Sequence, residues 1–407
     1  ELISRNCSVA LYFLLLLLKT AGFRRGGTKR KSSRSKRWSR SAQTIFASWA
    51  VLGQLGAVGV LVGEVFEPQL AKADPPMAGD STGNATSNGQ GSFAIGVSAT
   101  TGDAFYSQAS GYQANASGNR SQASGFKAIA SGADSQAIGY LATASGVSSQ
   151  ALGVEATASG NFSQASGTGA NASGDLSQAS GFYAIASGKY SQASGYLANA
   201  AGNYSTASGY KATASGNNSQ ASGVQANASG FASQASGFRA NAIGKYSTAS
   251  GTYATAAGNY STASGVRANA SGDYSQASGV QANASGNYSQ ASGYLANASG
   301  NYSQASGYKA KAAGIQSTAL GPFANASGDF STALGQRSNA LNVAAVAIGA
   351  NSNAAGCAST AIGAGSKASG SQSTALGDTS ISEGNQSIAL GVNAYALGIS
   401  STALGDS

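Results

Sequence analysis

Stepping by seven from Gly111 to Gly405 visits 43 positions, and 42 of them are glycine. The exception is Asn342. An alanine stands two residues before that position in 42 of the 43 cases, Ser382 being the exception. Alternate heptads differ. Ser107-Gln108-Ala109-Ser110-Gly111-Tyr112-Gln113 is followed by Ala114-Asn115-Ala116-Ser117-Gly118-Asn119-Arg120, so the full period is 14 residues. A chain that repeats one glycine so strictly must bend at that point in every copy. Glycine reaches positive φ without steric cost, and asparagine is among the non-glycine residues that tolerate it best. Gly111, Gly209, Gly405 and, by substitution, Asn342 are therefore the expected turn residues.

A heptad also invites a helical reading. A coiled coil needs large apolar residues at two of its seven positions. Here those positions hold serine and alanine, and a glycine in every heptad would cost about 1 kcal/mol relative to alanine. Helix is excluded. A disordered Gly/Ser/Ala tract has no reason to hold phase, yet the aromatics are phased too. Tyr246, Tyr260, Tyr274, Tyr288 and Tyr302 are spaced by 14 without a gap, and a second slot holds Tyr112, Phe126, Tyr140, Phe182, Tyr196 and Tyr210.

The pattern predicts an all-β solenoid of strand–turn–strand–turn coils, with about five extended residues in each half and glycine at the bend. Strand side chains alternate between faces. The first and third residues of each half, serine or alanine and then alanine, are expected inside a very thin roll. The second and fourth face outward. From Ser317 onward the fourth slot of the serine half turns apolar, with Leu320, Leu334, Ile348, Ile362, Leu376 and Leu390 in succession. Such a stripe has no room inside a thin roll and is expected to pack on partner chains.

Charge is divided along the chain. Residues 1–73 carry 12 Lys/Arg against 3 Asp/Glu, and residues 74–407 carry 11 of each. The net charge of +9 therefore belongs to the first segment, and a neutral repeat body gives no electrostatic case for nucleic-acid binding. It also predicts association that depends little on salt. Nine Lys/Arg between Arg24 and Arg40 precede an uncharged stretch from Thr44 to Gly63 and then Ala71-Lys72-Ala73, the order of a secretory signal peptide. An uncleaved membrane helix is the alternative for a stretch of about 20 residues. The expected organisation is a leader over 1–73, a linker and irregular first coil over 74–106, and β-roll repeats over 107–407.

Ser359-Thr360-Ala361-Ile362-Gly363 and Ser373-Thr374-Ala375-Leu376-Gly377, alternating with Lys367-Ala368-Ser369-Gly370, resemble the head repeats of trimeric autotransporter adhesins of the YadA type. The resemblance covers about residues 92–407. It implies a left-handed parallel β-roll and three chains packed side by side as a homotrimer. It also implies display on the outer membrane surface of a Gram-negative bacterium and binding to extracellular-matrix proteins, host cells or other bacteria. Two departures stand out. Most central repeats read SQASG where the family favours an apolar pair, which would set glutamine ladders on the chain–chain face. The family's neck, stalk and C-terminal membrane anchor do not follow, and the chain is expected to be a fragment or the product of a truncated gene.

No site for catalysis, cofactor or metal is legible. Histidine is absent, no pair of carboxylates recurs at a fixed slot, and general acid–base chemistry needs such groups. Cys7 and Cys357 are far apart and form no cysteine framework. Asp175, Asp273 and Asp329 share the position after glycine with Asn119, Asn161 and Asn203, which reads as turn chemistry. The recurring Asn-Ala-Ser triplets match a glycosylation sequon but follow from the repeat itself. The tyrosine ladder of Tyr246 to Tyr302, with Lys127, Lys211, Arg239, Arg267 and Lys309, is a candidate adhesive surface or, equally, a stack that serves stability alone. The rival functions are a structural spacer or an ice-binding solenoid. An ice-binding face wants threonine in every coil, whereas Thr206, Thr248 and Thr262 are scattered through a slot mostly filled by glutamine.

Overall fold

A computed structural model describes residues 84–406, together with the backbone of Met77–Ala78. The leader expected over residues 1–73, with its signal or membrane stretch and Cys7, lies outside the described residues. Within them the chain is built of strands without a helix, and every strand pairing is parallel. The fold is a parallel β-solenoid of 14-residue coils.

Each heptad divides into a short strand and a corner of four or five residues. The serine half forms three-residue strands such as Gln192–Ser194, and the alanine half forms two-residue strands such as Asn199–Ala200. The strands are shorter than the five residues expected. The difference goes into the corner, which takes the glycine, two following residues and the next serine or alanine, and after the alanine half also the residue before the glycine, such as Ala201. It closes with a bond such as Ser205 N–H to the Gly202 carbonyl at 3.3 Å.

Coils stack in register fourteen residues apart. Gln192, Ala193 and Ser194 pair with Thr206, Ala207 and Ser208, and Asn199 and Ala200 pair with Thr213 and Ala214. The serine-half strands make one 24-stranded sheet and the alanine-half strands a second. Between the two lies a single layer of small side chains. Ser205, Ala207, Ala212 and Ala214 are completely buried, and the same four slots are buried in coil after coil. This explains the smallness of the repeat, since any larger side chain would push the two sheets apart. In some coils the inward serine hydroxyl is satisfied locally. Ser149 and Ser317 donate to the carbonyls of Gly146 and Gly314, three residues earlier, at 2.7 Å. The equivalent hydroxyls of Ser121, Ser163, Ser205, Ser247 and Ser289, among others, are buried without a hydrogen-bond partner.

The glycine column divides into two. Gly111, Gly209 and Gly405 have φ of 129°, 127° and 122°, as do their equivalents in the other coils within about ten degrees. Their backbone is one that side-chain-bearing residues rarely adopt. The alternate column, Gly118 to Gly398, has no positive φ. Glycine is needed there because the next coil is too close. A Cβ on Gly202 would stand 2.1 Å from the Gly216 carbonyl oxygen. Asn342 belongs to this second column, so the expectation that it shares a positive-φ requirement with Gly111 is corrected. It is exposed where the glycines of its column, Gly398 aside, are buried, and its amide nitrogen donates to the Ala355 carbonyl at 2.6 Å.

Left-handed backbone does occur at every corner, two residues after the glycine. Gln113, Arg120, Lys211, Tyr246 and Arg267 have φ between 53° and 56°. Each such residue costs about 1–2 kcal/mol. The conformation lets the N–H of that residue continue the inter-coil ladder around the bend, as from Tyr246 to the Phe231 carbonyl at 2.7 Å. The roll also begins within the segment expected to contain a linker. Thr86–Ser87, Phe93–Ile95 and Thr100–Gly102 already lie in coils. Phe93 pairs with Gln108, a step of fifteen residues rather than fourteen.

Candidate binding surface

The fold exposes two sheet faces and two edges, and each displays one residue per slot in every coil. The edge after the second glycine column carries the tyrosine ladder. Rings of Tyr246, Tyr260, Tyr274, Tyr288 and Tyr302 stack with centroids 4.8–4.9 Å apart and planes within 12° of parallel. That spacing is the coil rise itself. All five side chains are about half exposed, but the ring faces are turned toward each other, leaving ring edges and hydroxyls to solvent.

On the same edge the residue after glycine is often Asn or Asp. Its side-chain oxygen accepts the backbone N–H of the equivalent residue one coil earlier, as from Asn259 N–H to Asp273 at 2.7 Å and from Asp273 N–H to Asn287 at 2.9 Å. Sequence reading assigned these residues to turn chemistry. The structure shows that they also join coils, a role visible in sequence only as Asn/Asp recurring at fourteen.

The opposite edge, after the positive-φ glycines, is aromatic and basic. Tyr112, Phe126 and Tyr140 stack, as do Phe182, Tyr196 and Tyr210. Lys127 and Lys211 lie over the neighbouring Phe126 and Tyr210 rings. Farther along, Arg239 and Arg267 both approach the Tyr253 ring, at 5.6 and 5.9 Å. Lys309 and Arg337 approach Phe323 in the same way, at 5.7 and 5.8 Å. Arg337, Tyr253 and Phe323 were not singled out from sequence. The signal was present as Phe238-Arg239, Tyr253, Arg267 recurring seventy residues later as Tyr308-Lys309, Phe323, Arg337.

Leu320, Leu334, Ile348, Ile362, Leu376 and Leu390 form an unbroken in-register column on the outer face of the serine-half sheet. Leu320 and Leu376 are 39% and 45% exposed in the single chain, so this stripe is not part of the roll's own core. On the other sheet an amide ladder forms, with Asn269, Asn283 and Asn297 bonded in series at 2.9 and 3.0 Å. The glutamine ladder expected from SQASG is not hydrogen-bonded among the described residues. No group of three or more His, Cys, Asp or Glu side chains converges there either.

A stack of in-register parallel coils of one length, with a recurring set of outward slots, defines a repetitive β-solenoid head. The YadA head domain repeat matches this chain twelve times, over residues 130–153, 144–170, 186–212, 200–219, 235–261, 242–268, 256–275, 270–296, 298–324, 312–338, 354–380 and 382–407. These matches take in more than half of the chain, which belongs to the YadA head repeat family. Among curated proteins, no relative matches it.

Proposed function

We propose that this chain is the head of a trimeric autotransporter adhesin, exported through a signal peptide and displayed on the outer membrane surface, which attaches the cell to host surfaces, extracellular matrix or other bacteria. The observation that carries the reading is the in-register repetition of outward groups on a family-matched head roll. Attachment needs no catalytic step, cofactor or metal. The apolar column from Leu320 to Leu390 supports side-by-side packing of three chains, because its side chains are partly to almost half exposed in the single chain. The tyrosine ladder from Tyr246 to Tyr302 is best read as a stabilising stack whose hydroxyls add to the adhesive edge.

Repetition at fixed spacing favours avidity, since each later contact forms at high effective concentration. A deletion series that removes whole 14-residue units, assayed on matrix proteins, host cells and abiotic surfaces, tests the reading. Binding should fall steeply with coil number. If no member of the series binds any surface or other copies of itself, the chain is a spacer.

A further inference from the structure

The balanced charge of the repeat body conceals a segregation that only the coil geometry reveals. On the edge after the positive-φ glycines stand Lys127, Lys211, Arg239, Arg267, Lys309 and Arg337, and no carboxylate occupies that edge between Glu155 and Asp378. Asp175, Asp273 and Asp329 all fall on the opposite edge, where they are interspersed with Lys189 and Lys245. Among the described residues the salt bridges are Arg120–Asp134 and Lys367–Glu383, so these six cations have no carboxylate partner.

Four of the cations are built into two copies of one arrangement. In the first, Tyr253 lies between Arg239 and Arg267, with Phe238 packed edge-on against its ring at 5.4 Å and 77°. Arg239 is held further by bonds from its Nε to Gln225 at 2.6 Å and from its guanidinium to the Tyr253 hydroxyl at 3.3 Å. In the second, Phe323 lies between Lys309 and Arg337, with Tyr308 edge-on at 5.1 Å and 68°. The cations of each copy are two coils apart, roughly 10 Å at the inter-strand spacing. The copies themselves are five coils apart, roughly 24 Å.

We infer that this edge binds a linear acidic polysaccharide, with the two cation–aromatic–cation sandwiches as its anchor points; the inference deepens the attachment reading above and rests on it. Cations two coils apart match the spacing of like charges on alternate sugars of an extended chain. Arginine suits sulfate and carboxylate because its planar fork donates two parallel bonds. Packing against Tyr253 and Phe323 pre-orients the cations and lowers the entropy lost on binding. Gln225, Gln281 and Gln336 add uncharged hydrogen-bonding groups for sugar hydroxyls on the same edge. A single-stranded nucleic acid fits less well, since it needs open ring faces for base stacking. Here Tyr253 and Phe323 have their faces turned to the flanking cations.

The test uses the full chain and three immobilised probes, a sulfated glycosaminoglycan, neutral dextran and single-stranded DNA. The glycosaminoglycan should bind, dextran should not, and raising the salt should weaken binding strongly, because these exposed charges are screened. Arg239→Gln with Arg267→Gln should weaken binding by about tenfold, and adding Lys309→Gln with Arg337→Gln should remove it by loss of the second anchor. Lys189→Gln with Lys245→Gln, on the opposite edge, should leave binding unchanged. Thermal unfolding of each variant guards against loss of fold. Equal binding of dextran, indifference to the four substitutions in a folded protein, or DNA binding as tight as glycosaminoglycan binding through the same residues would each overturn the inference. Attachment to cells stripped of acidic polysaccharide, by wild type and the fourfold variant alike, would overturn it and leave the attachment reading standing.

Discussion

Tyr274 and Tyr288, fourteen residues apart in sequence, lie with ring centroids 4.8 Å apart and planes 2° from parallel. Tyr260 stacks on Tyr274 at the same distance from the coil before. Tyr274→Ala would therefore remove two stacked pairs and should destabilise the roll by about 1–3 kcal/mol. Tyr274→Phe keeps the ring and should be near neutral. Denaturant unfolding of the two variants separates stacking from any role of the hydroxyl. An equal loss in both would place the effect in the hydroxyl instead.

Gly209 has φ of 127°, and a Cβ there would stand 2.6 Å from the Gly223 carbonyl oxygen. Gly209→Ala should lower the melting temperature by several degrees, because strain of about 1–3 kcal/mol adds to a backbone clash. Asparagine gives no relief at this position. Its tolerance is for the left-handed helical region, and Asn342 stands in the other glycine column. Gly209→Asn should thus melt no higher than Gly209→Ala, and a clearly milder effect in thermal scans would contradict the two-column description.

Leu334 and Leu376 lie outside the roll's core, so changing them should affect association more than folding. Leu334→Asp with Leu376→Asp would bury charges without partners if the stripe packs on other chains. Light scattering should then show loss of trimer while circular dichroism keeps the β spectrum. A wild-type chain that remains a stable monomer at all concentrations would end the trimer proposal.

Asp273 links two coils through the Asn259 N–H. Asp273→Ala leaves that donor to water and should cost about 0.5–1.5 kcal/mol. Hydrogen exchange is the more telling measurement, since the Asn259 amide should lose protection while amides several coils away keep theirs.

Stability should be nearly flat across neutral pH. The chain has no histidine, the side chain that ordinarily changes charge between about pH 5 and 8. The hydrogen bond to Asp134, and then its charge, raises the pKa of Arg120. A raised folded-state pKa gives stability that is present below the unfolded value and lost only as pH climbs through the folded one, far on the alkaline side. The melting temperature should vary by no more than about 2 °C between about pH 5.5 and 7.5. A transition within that window would mean that another group couples to folding.

The sequence by itself determined the solenoid, because its evidence is periodic. Glycine at every seventh position, alanine two residues before it and aromatics fourteen apart define the coil, the buried slots and the stacked edges. A property repeated in every coil can be read from one coil. What distinguishes the two halves was less legible. That Gly111 needs positive φ while Gly118 needs only a close neighbour depends on how one coil meets the next. The same holds for the Asn and Asp side chains that reach the coil before, as from Asn259 to Asp273.

The tertiary structure alone decided where charge lies. Counted along the chain, the repeat body is neutral and predicts weak salt dependence. Wound into coils, it places Arg239, Arg267, Lys309 and Arg337 together on one edge, while Asp175, Asp273 and Asp329 lie on the other with Lys189 and Lys245. Charges that cancel in a sum do not cancel in space once they are separated across the roll, since water and salt screen one edge from the other. Arg239 and Arg267 share one ring because two coils place them on either side of Tyr253, a contact that exists only after the chain has turned back on itself twice.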